Sequence, residues 1–316
     1  MGGGGGGGAR TTDVHAFDTA GGGARYVASA TIAGRLHQGS DFHERAGVWF
    51  VATTSEGRAG ATATAVTVSL TLTALALRGP SLVPLGSVAV GGDGKAVVAV
   101  RYVGDVAAVL SPRAVTFIDV RDPSRMVTRG ALTLPGFCHH LYPLGPALLL
   151  GLGQAAGRRA SDLTATAFLL TVPAAAADGS APANPSVVAT WTPPPPPARP
   201  ATGVTSAWSG SGAYGGLVYL PGRRLVVAPL DGLGVWDGAV DAVALRVDPG
   251  GEGLPTVAAV AHAGRARTAG RRVAAVSRVA AMGDGRYVWT FAPQSVEVRD
   301  VDTWNVTCRT ALPEGN

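Results

Sequence analysis

The sequence of 316 residues predicts an all-β chain made of repeated four-stranded units, and three observations carry that prediction. Apolar residues alternate with polar ones in segment after segment. Gly-Asp, Pro-Gly and Asp-Pro pairs punctuate those segments as turns. One stretch of the chain recurs near its end. Alternation at period two puts every second side chain on one face of a strand, and no segment holds the 3.6-residue period of an amphipathic helix over three turns.

Composition agrees. Hydrophobic residues make up 47%, enough for one large domain or two ordinary ones, while a charged fraction of 15% beside 45 Gly and 22 Pro leaves little material for helices with charged outer faces. The net charge of +5 and pI near 9.7 raise nucleic acid as a partner, but Lys95 is the only lysine and the arginines are spread along the chain. The densest group, Arg265, Arg267, Arg271, Arg272 and Arg278, has no aromatic residues between for base stacking and reads as a solvated loop.

Taken in order, residues 1–10 form a Gly-rich tail expected to be disordered, with neither the positive nor the apolar region of a signal peptide. "DVHAFDT" and "RYVASATIAG" supply two strands. The most apolar window, Ala65 to Leu77, sets Val66, Val68, Leu70 and Leu72 against Thr67, Ser69, Thr71 and Thr73, too short for a spanning helix and at strand period. It forms one unit with "GVWFVATTS" and "LVPLGSVAVG". "HLYPLGPALLLGLG", "ATAFLLTV" and "SVVATWTP" make another, and "GLVYLPGRRLVVAPL", "DAVALRVD" and "TVAAVAHAG" a third.

The remaining two units are copies of one plan. Gly104-Asp105 falls on Gly283-Asp284, Val109 on Val288, Val115 on Val296 and Asp119-Val120 on Asp300-Val301, at offsets of 179 to 181 residues. Each has a strand, a Gly-Asp hairpin whose central positions tolerate positive φ, two more strands and a fourth apolar run. The offset leaves room for four units of about 45 residues, the period of a β-propeller blade. The count is five blades and an N-terminal half, in a single domain over 11–316 with a low-complexity Ala/Pro loop at 173–203. A half blade at the start points to a chain that is the C-terminal part of a longer propeller, or whose start lies too far downstream.

"RYVGD…FIDVRDPSRMVTRGALTLPGF…LYPLGPALLLGLGQ" resembles the bacterial and archaeal β-propeller proteins distantly related to WD-repeat propellers. Their corresponding stretch has a Val-Gly-Asp turn, then Ile-Pro-Gly-Phe-Ser-x-Tyr-Leu-His-Pro and a Leu-Leu-Gly-x-Gly run. "ARYVASATIAGRL", "GVWFVATTS", "LVYLPGRRLVVAPL" and "RVAAMGDGRYVWTF" keep the family's order, so the resemblance covers most of residues 11–312. After Trp208 the family's acidic residue and histidine are replaced by Ser209 and Gly210. The resemblance implies export and a binding or scaffolding role, and it brings no catalytic residues.

Chemistry-bearing residues are few. Cys138, His139 and His140 are the best soft-metal ligands, but adjacent residues on a strand point to opposite faces, so the three do not converge on one ion. Only Cys138 and His140 share a face, and a structural reading is expected; Cys138 stands where the family has a small serine. A Cys-His nucleophile pair would need a third group to orient the base. His43-Glu44 lacks a second histidine and reads as a solvated turn. "GLGQAAG" (151 to 157) and "GGDGKAV" miss the dinucleotide and phosphate-loop spacings and also read as turns. Ser211 lies in a glycine-rich loop without a nucleophile elbow. Asp119 and Asp300 are expected to accept hydrogen bonds from the turns that follow them.

The expectation is therefore a monomeric, non-catalytic module for a protein, peptide or glycan ligand, with no cofactor, no metal, no nucleic acid and no membrane span. The alternative is an enzyme on a propeller scaffold, a hydrolase or a metal- or quinone-dependent oxidoreductase with its site near the central channel. Convergence of His37, His43, His139, His140 or His262 would favour that alternative.

Overall fold

The computed structural model describes residues 10–36, 42–58, 66–90, 97–156, 163–173, 184–192, 207–208, 216–231, 239–248, 256–265, 278–282, 285–292 and 295–312. Among them there is one 3-10 turn, Pro221–Arg223, and every other regular element is a strand; no described helix is long and apolar enough to cross a membrane. The strands form five sheets. By contacts the chain divides into two compact parts, residues 1–134 with the short pieces 145–147 and 172–185, and the remainder.

In the first part, strands β1 (Thr11–Asp18), β2 (Arg25–Ala33), β3 (Arg35–Leu36), β4 (Phe42–Arg45), β5 (Val48–Arg58), β6 (Val66–Arg78) and β7 (Ser81–Val90) make the first sheet, ordered β1-β2-β7-β6-β5-β3 with β4 also on β5. The N-terminal pair, expected as half of a separate blade, joins β7 through a single parallel bridge, Ser29 to Ser81. Its buried residues Val14, Ala28 and Ile32 pack on Val51, Leu75 and Leu82. Gly34, at φ +95°, makes the bend from β2 to β3, and a Cβ there would fall 2.9 Å from the Thr53 side chain.

The alternation of β6 explains the other face. Leu70, Leu72 and Ala74 turn to the second sheet with Phe50 and Ala52, and Leu75, the next residue in the alternation, faces the N-terminal hairpin. The second sheet is β8 (Ala99–Val103), β9 (Val106–Ser111), β10 (Ala114–Asp119) and β11 (Val127–Thr133), ordered β11-β10-β9-β8. Its Gly104-Asp105 hairpin uses positive φ at Gly104 alone, at +54°, the pattern of a type II′ turn. Arg45, at the end of β4, donates across to the Gly104 carbonyl at 2.9 Å and pairs with the Asp105 carboxylate, clasping the first sheet to the second.

The second part holds three sheets. The third is β12 (Gly136–Gly145), β13 (Leu148–Ala156), β14 (Leu163–Thr171) and β15 (Val187–Trp191), so that β15 interrupts the expected Ala/Pro loop. In the fourth, β16 (Ala207–Trp208) and β17 (Val218–Leu220) pair β18 (Leu225–Asp231), which continues to β19 (Ala239–Asp248) and β20 (Thr256–Arg265). The fifth is β21 (Arg278–Met282), β22 (Tyr287–Ala292), β23 (Ser295–Asp300) and β24 (Val306–Ala311). Strand β18 is sandwiched. Val226 and Ala228 meet Leu150, Leu152 and Leu169 of the third sheet, and Leu225 and Val227 meet Val279 and Val288 of the fifth. Burial on both faces is why "LVVAPL" is a continuous apolar run.

Several readings fall outside the described residues: the Gly tract, Gly283-Asp284, Ser209-Gly210, Ser211, His37, Lys95, Arg267, Arg271, Arg272 and most of the Ala/Pro loop.

Candidate functional site

The Cys138-His139-His140 segment lies on β12, and its side chains part company there. Cys138 is fully buried, with its Sγ 3.1 Å from the His140 carbonyl oxygen and 3.7 Å from that of Leu152. Burial pushes its thiol up to about 12, so it stays protonated and is neither nucleophile nor thiolate ligand. His139 is on the opposite, exposed face with Nε2 3.5 Å from Gln154 Oε1, and the half-buried His140 ring lies 6.2 Å from Tyr142. Among the described residues no three of His, Cys, Asp and Glu gather as a metal site would require.

"GLGQAAG" is not a turn, as read above; Gly151 to Ala156 lie within β13. The glycines are there because β12 runs close alongside. A Cβ on Gly151 would meet Cys138 Sγ at 3.0 Å, and one on Gly153 would overlap the Phe137 carbonyl. His43 also differs from expectation. It sits on β4, not in a solvated turn, and stacks on Tyr102 with centroids 4.4 Å apart and planes 13° off parallel. Burial holds it below the usual histidine range.

The two repeated aspartates serve the turns after them. Asp119 Oδ1 accepts from the Arg121 N–H at 2.9 Å, and Asp300 Oδ1 accepts from the Asp302 and Thr303 N–H groups, each at 3.0 Å. Asp119 is buried, which raises its pKa, but hydrogen bonds from Arg121 and Arg129 outweigh that and hold it at about 2. In Asp300 the Thr303 N–H is the main cause of a lowered value.

A cleft of about 440 Å³ opens between the fourth and fifth sheets, lined by Arg223, Leu225, Ala244, Arg246, Val301, Asp302, Thr303 and Trp304. Local structure brings these together. The Pro221–Arg223 turn ends at Arg224 in the left-handed region, φ +51°, and the Arg224 carbonyl accepts from Val247 at 2.8 Å. Leu225 pairs with Arg246 in register, which sets the Arg246 guanidinium beside the turn. From the fifth sheet, the Asp300 carboxylate folds residues 301–304 into a tight turn that presents Asp302, Thr303 and Trp304. Asp302 pairs with Arg223 and Asp248 with Arg224 at 3.1 Å, whereas exposed Arg246 has no ion pair among the described residues. Two guanidiniums, Arg223 and Arg246, against the one carboxylate of Asp302 leave the lining of the cleft cationic. Behind it, buried Glu297 pairs with buried Arg299 at 2.7 Å and with Arg309 at 2.5 Å; burial opposes its ionisation, and the two arginines outweigh that and lower it.

None of these cleft residues stands out in the sequence, because Arg223 and Asp302 are 79 positions apart and neither belongs to a motif. The one available signal was the second copy's turn, Asp302-Thr303-Trp304, replacing the first copy's Arg121-Asp122-Pro123 after the shared Asp-Val.

The profile of the family described as Beta propeller domain matches residues 6–304. The chain belongs to that family. No curated protein matches its sequence. Among solved structures, a protein from Lactobacillus plantarum superposes with a TM-score of 0.51 at 11% identity, over 95% of this chain and 79% of that one. The Pseudomonas aeruginosa periplasmic gluconolactonase gives 0.48 at 12% identity, over 96% and 77%. Dihydro-heme d1 dehydrogenase NirN gives 0.41 at 16% identity, over 77% and 41%. At such identities the likeness is one of fold. It nevertheless overturns one expectation: the chain was read as a non-enzyme for want of a motif, and the propellers it is similar to include proteins named as enzymes, so a missing motif does not exclude catalysis on this scaffold.

Proposed function

We propose that the chain is an enzyme on a propeller scaffold, a hydrolase of small anionic substrates held in the cleft between the fourth and fifth sheets. The observation that carries this reading is Arg246, without an ion pair among the described residues, sharing one cavity with an Asp302–Arg223 pair. Arg246 would hold the substrate's anionic group, since a guanidinium matches carboxylate and phosphate geometry with two parallel hydrogen bonds. Asp302, oriented by Arg223, would accept a proton from the attacking water. A general base within reach of water and a fixed cation for the substrate are the minimum that hydrolysis asks of a site.

The test is turnover. Purified protein is assayed against lactones, carboxylate-bearing esters and phosphomonoesters, with and without added divalent cations. One class is expected to be hydrolysed, with kcat/KM down about tenfold or more in Arg246→Met and kcat down in Asp302→Asn. No hydrolysis above buffer in any class, or activity indifferent to both substitutions, overturns the reading.

A further inference from the structure

Trp304 lies in the left-handed region at φ +60°, which a bulky side chain rarely adopts. Its backbone is held there from both sides: its N–H donates to the Asp300 carbonyl at 2.8 Å, and its own carbonyl accepts from Arg299 Nη1 at 3.2 Å. The result is an indole that lines the cleft and packs with Val301 against the Leu225 and Ala244 layer. Its ring nitrogen is the exception. Nε1 is covered from solvent and has no acceptor among the described residues, an arrangement that native structures generally avoid.

The repeat shows that packing does not require this. In the first copy the corresponding position is Pro123, and Val120 and Met126 enter the layer between the first and second sheets. The second copy has kept the aspartate and the valine, and has put an indole N–H where the first has no donor. The side chain that carries it lines the cavity that also holds Arg246.

We propose that Trp304 determines the cleft's specificity, its indole N–H donating to an oxygen of the anion that Arg246 holds. This rests on the reading of the cleft as the substrate site. The bond requires the indole to turn about its side-chain torsions so that Nε1 faces the cavity, and a bond to a charged acceptor is stronger than one between neutral partners. Carboxylate and phosphate both supply such an oxygen.

Nuclear magnetic resonance of the indole N–H signals decides the matter. Full-length protein is titrated with inorganic phosphate in one arm and acetate in the other, with affinities from calorimetry. The signal absent from Trp304→Phe is expected to move on saturation with at least one probe, and the anion that moves it identifies the source of the oxygen. Trp304→Phe is expected to weaken binding about tenfold or more, the worth of one hydrogen bond to a charged group. Its remaining indole signals should keep their wild-type positions. If Trp304→Phe does not fold, the wild-type titration stands alone, with Trp304→Met supplying the signal assignment. Saturable, Arg246-dependent binding that leaves the Trp304 signal in place overturns the role of Trp304 and leaves the cleft reading intact. Absence of saturable binding by either anion, or equal binding by Arg246→Met, overturns both.

Discussion

Single side chains in this chain show how context decides chemistry. Cys138 and Asp119 are both buried, yet burial dominates at the thiol while two arginines reverse its effect on the carboxylate. Asp119 remains ionised in the folded chain down to about pH 2, whereas an unfolded aspartate takes up its proton near 3.8. Its contribution is thus fully present above about pH 4 and is lost as pH falls toward 2, and it amounts to about 2 kcal/mol. Asp119→Asn is expected to lower stability by that order in urea unfolding at neutral pH, and to flatten the fall in stability across that acid window. An unchanged acid profile would show that the Arg121 and Arg129 pairing contributes nothing net.

At the level of the strand, the close approach of β12 and β13 is the most demanding contact described. Gly153 has no room for a methyl group, and the atom in its way is backbone, which cannot swing aside. Gly145, at the far end of β12, has nothing within 4 Å of a built Cβ. Gly153→Ala is expected to cost about 3 kcal/mol by forcing the strands apart, with Gly145→Ala within about 0.5 kcal/mol of wild type. Thermal unfolding of the two variants measures the difference, and equal melting temperatures would mean that the strands separate freely there.

Strand identity was plain in the sequence because period two and the Gly-Asp turn are local signals, and β8 to β11 and β21 to β24 fall where the repeat puts them. Three things were not local. The join of the N-terminal pair to β7 was hidden because a pairing as slight as Ser29 to Ser81 leaves no pattern. The β13 glycines looked like a turn because the reason for them is on another strand. The cleft was invisible because it is assembled from two sheets whose paired residues are ordinary arginines and aspartates.

Across the whole molecule, nine of the described arginines are held in ion pairs. Arg25, Arg45, Arg121, Arg129, Arg223, Arg224, Arg286, Arg299 and Arg309 each lie against an acidic residue. Paired cations release few counterions from a phosphate backbone, and the remaining arginines are spread along the chain and not clustered in one patch. Binding to duplex DNA is expected to be no tighter than about 1 µM at physiological salt, the non-specific range. Fluorescence anisotropy across a salt series checks this, and nanomolar affinity that collapses steeply with salt would contradict it.

The two thiols end up on opposite terms with the outside. Cys308 is exposed on β24 at the edge of the fifth sheet, and Cys138 is sealed beneath β12. A maleimide dye or spin label added to the native chain therefore has one place to go. That place sits on the strand that the Trp304 turn leads into, in register with Val298, so the unmodified protein already contains the attachment point for a reporter of events in the cleft.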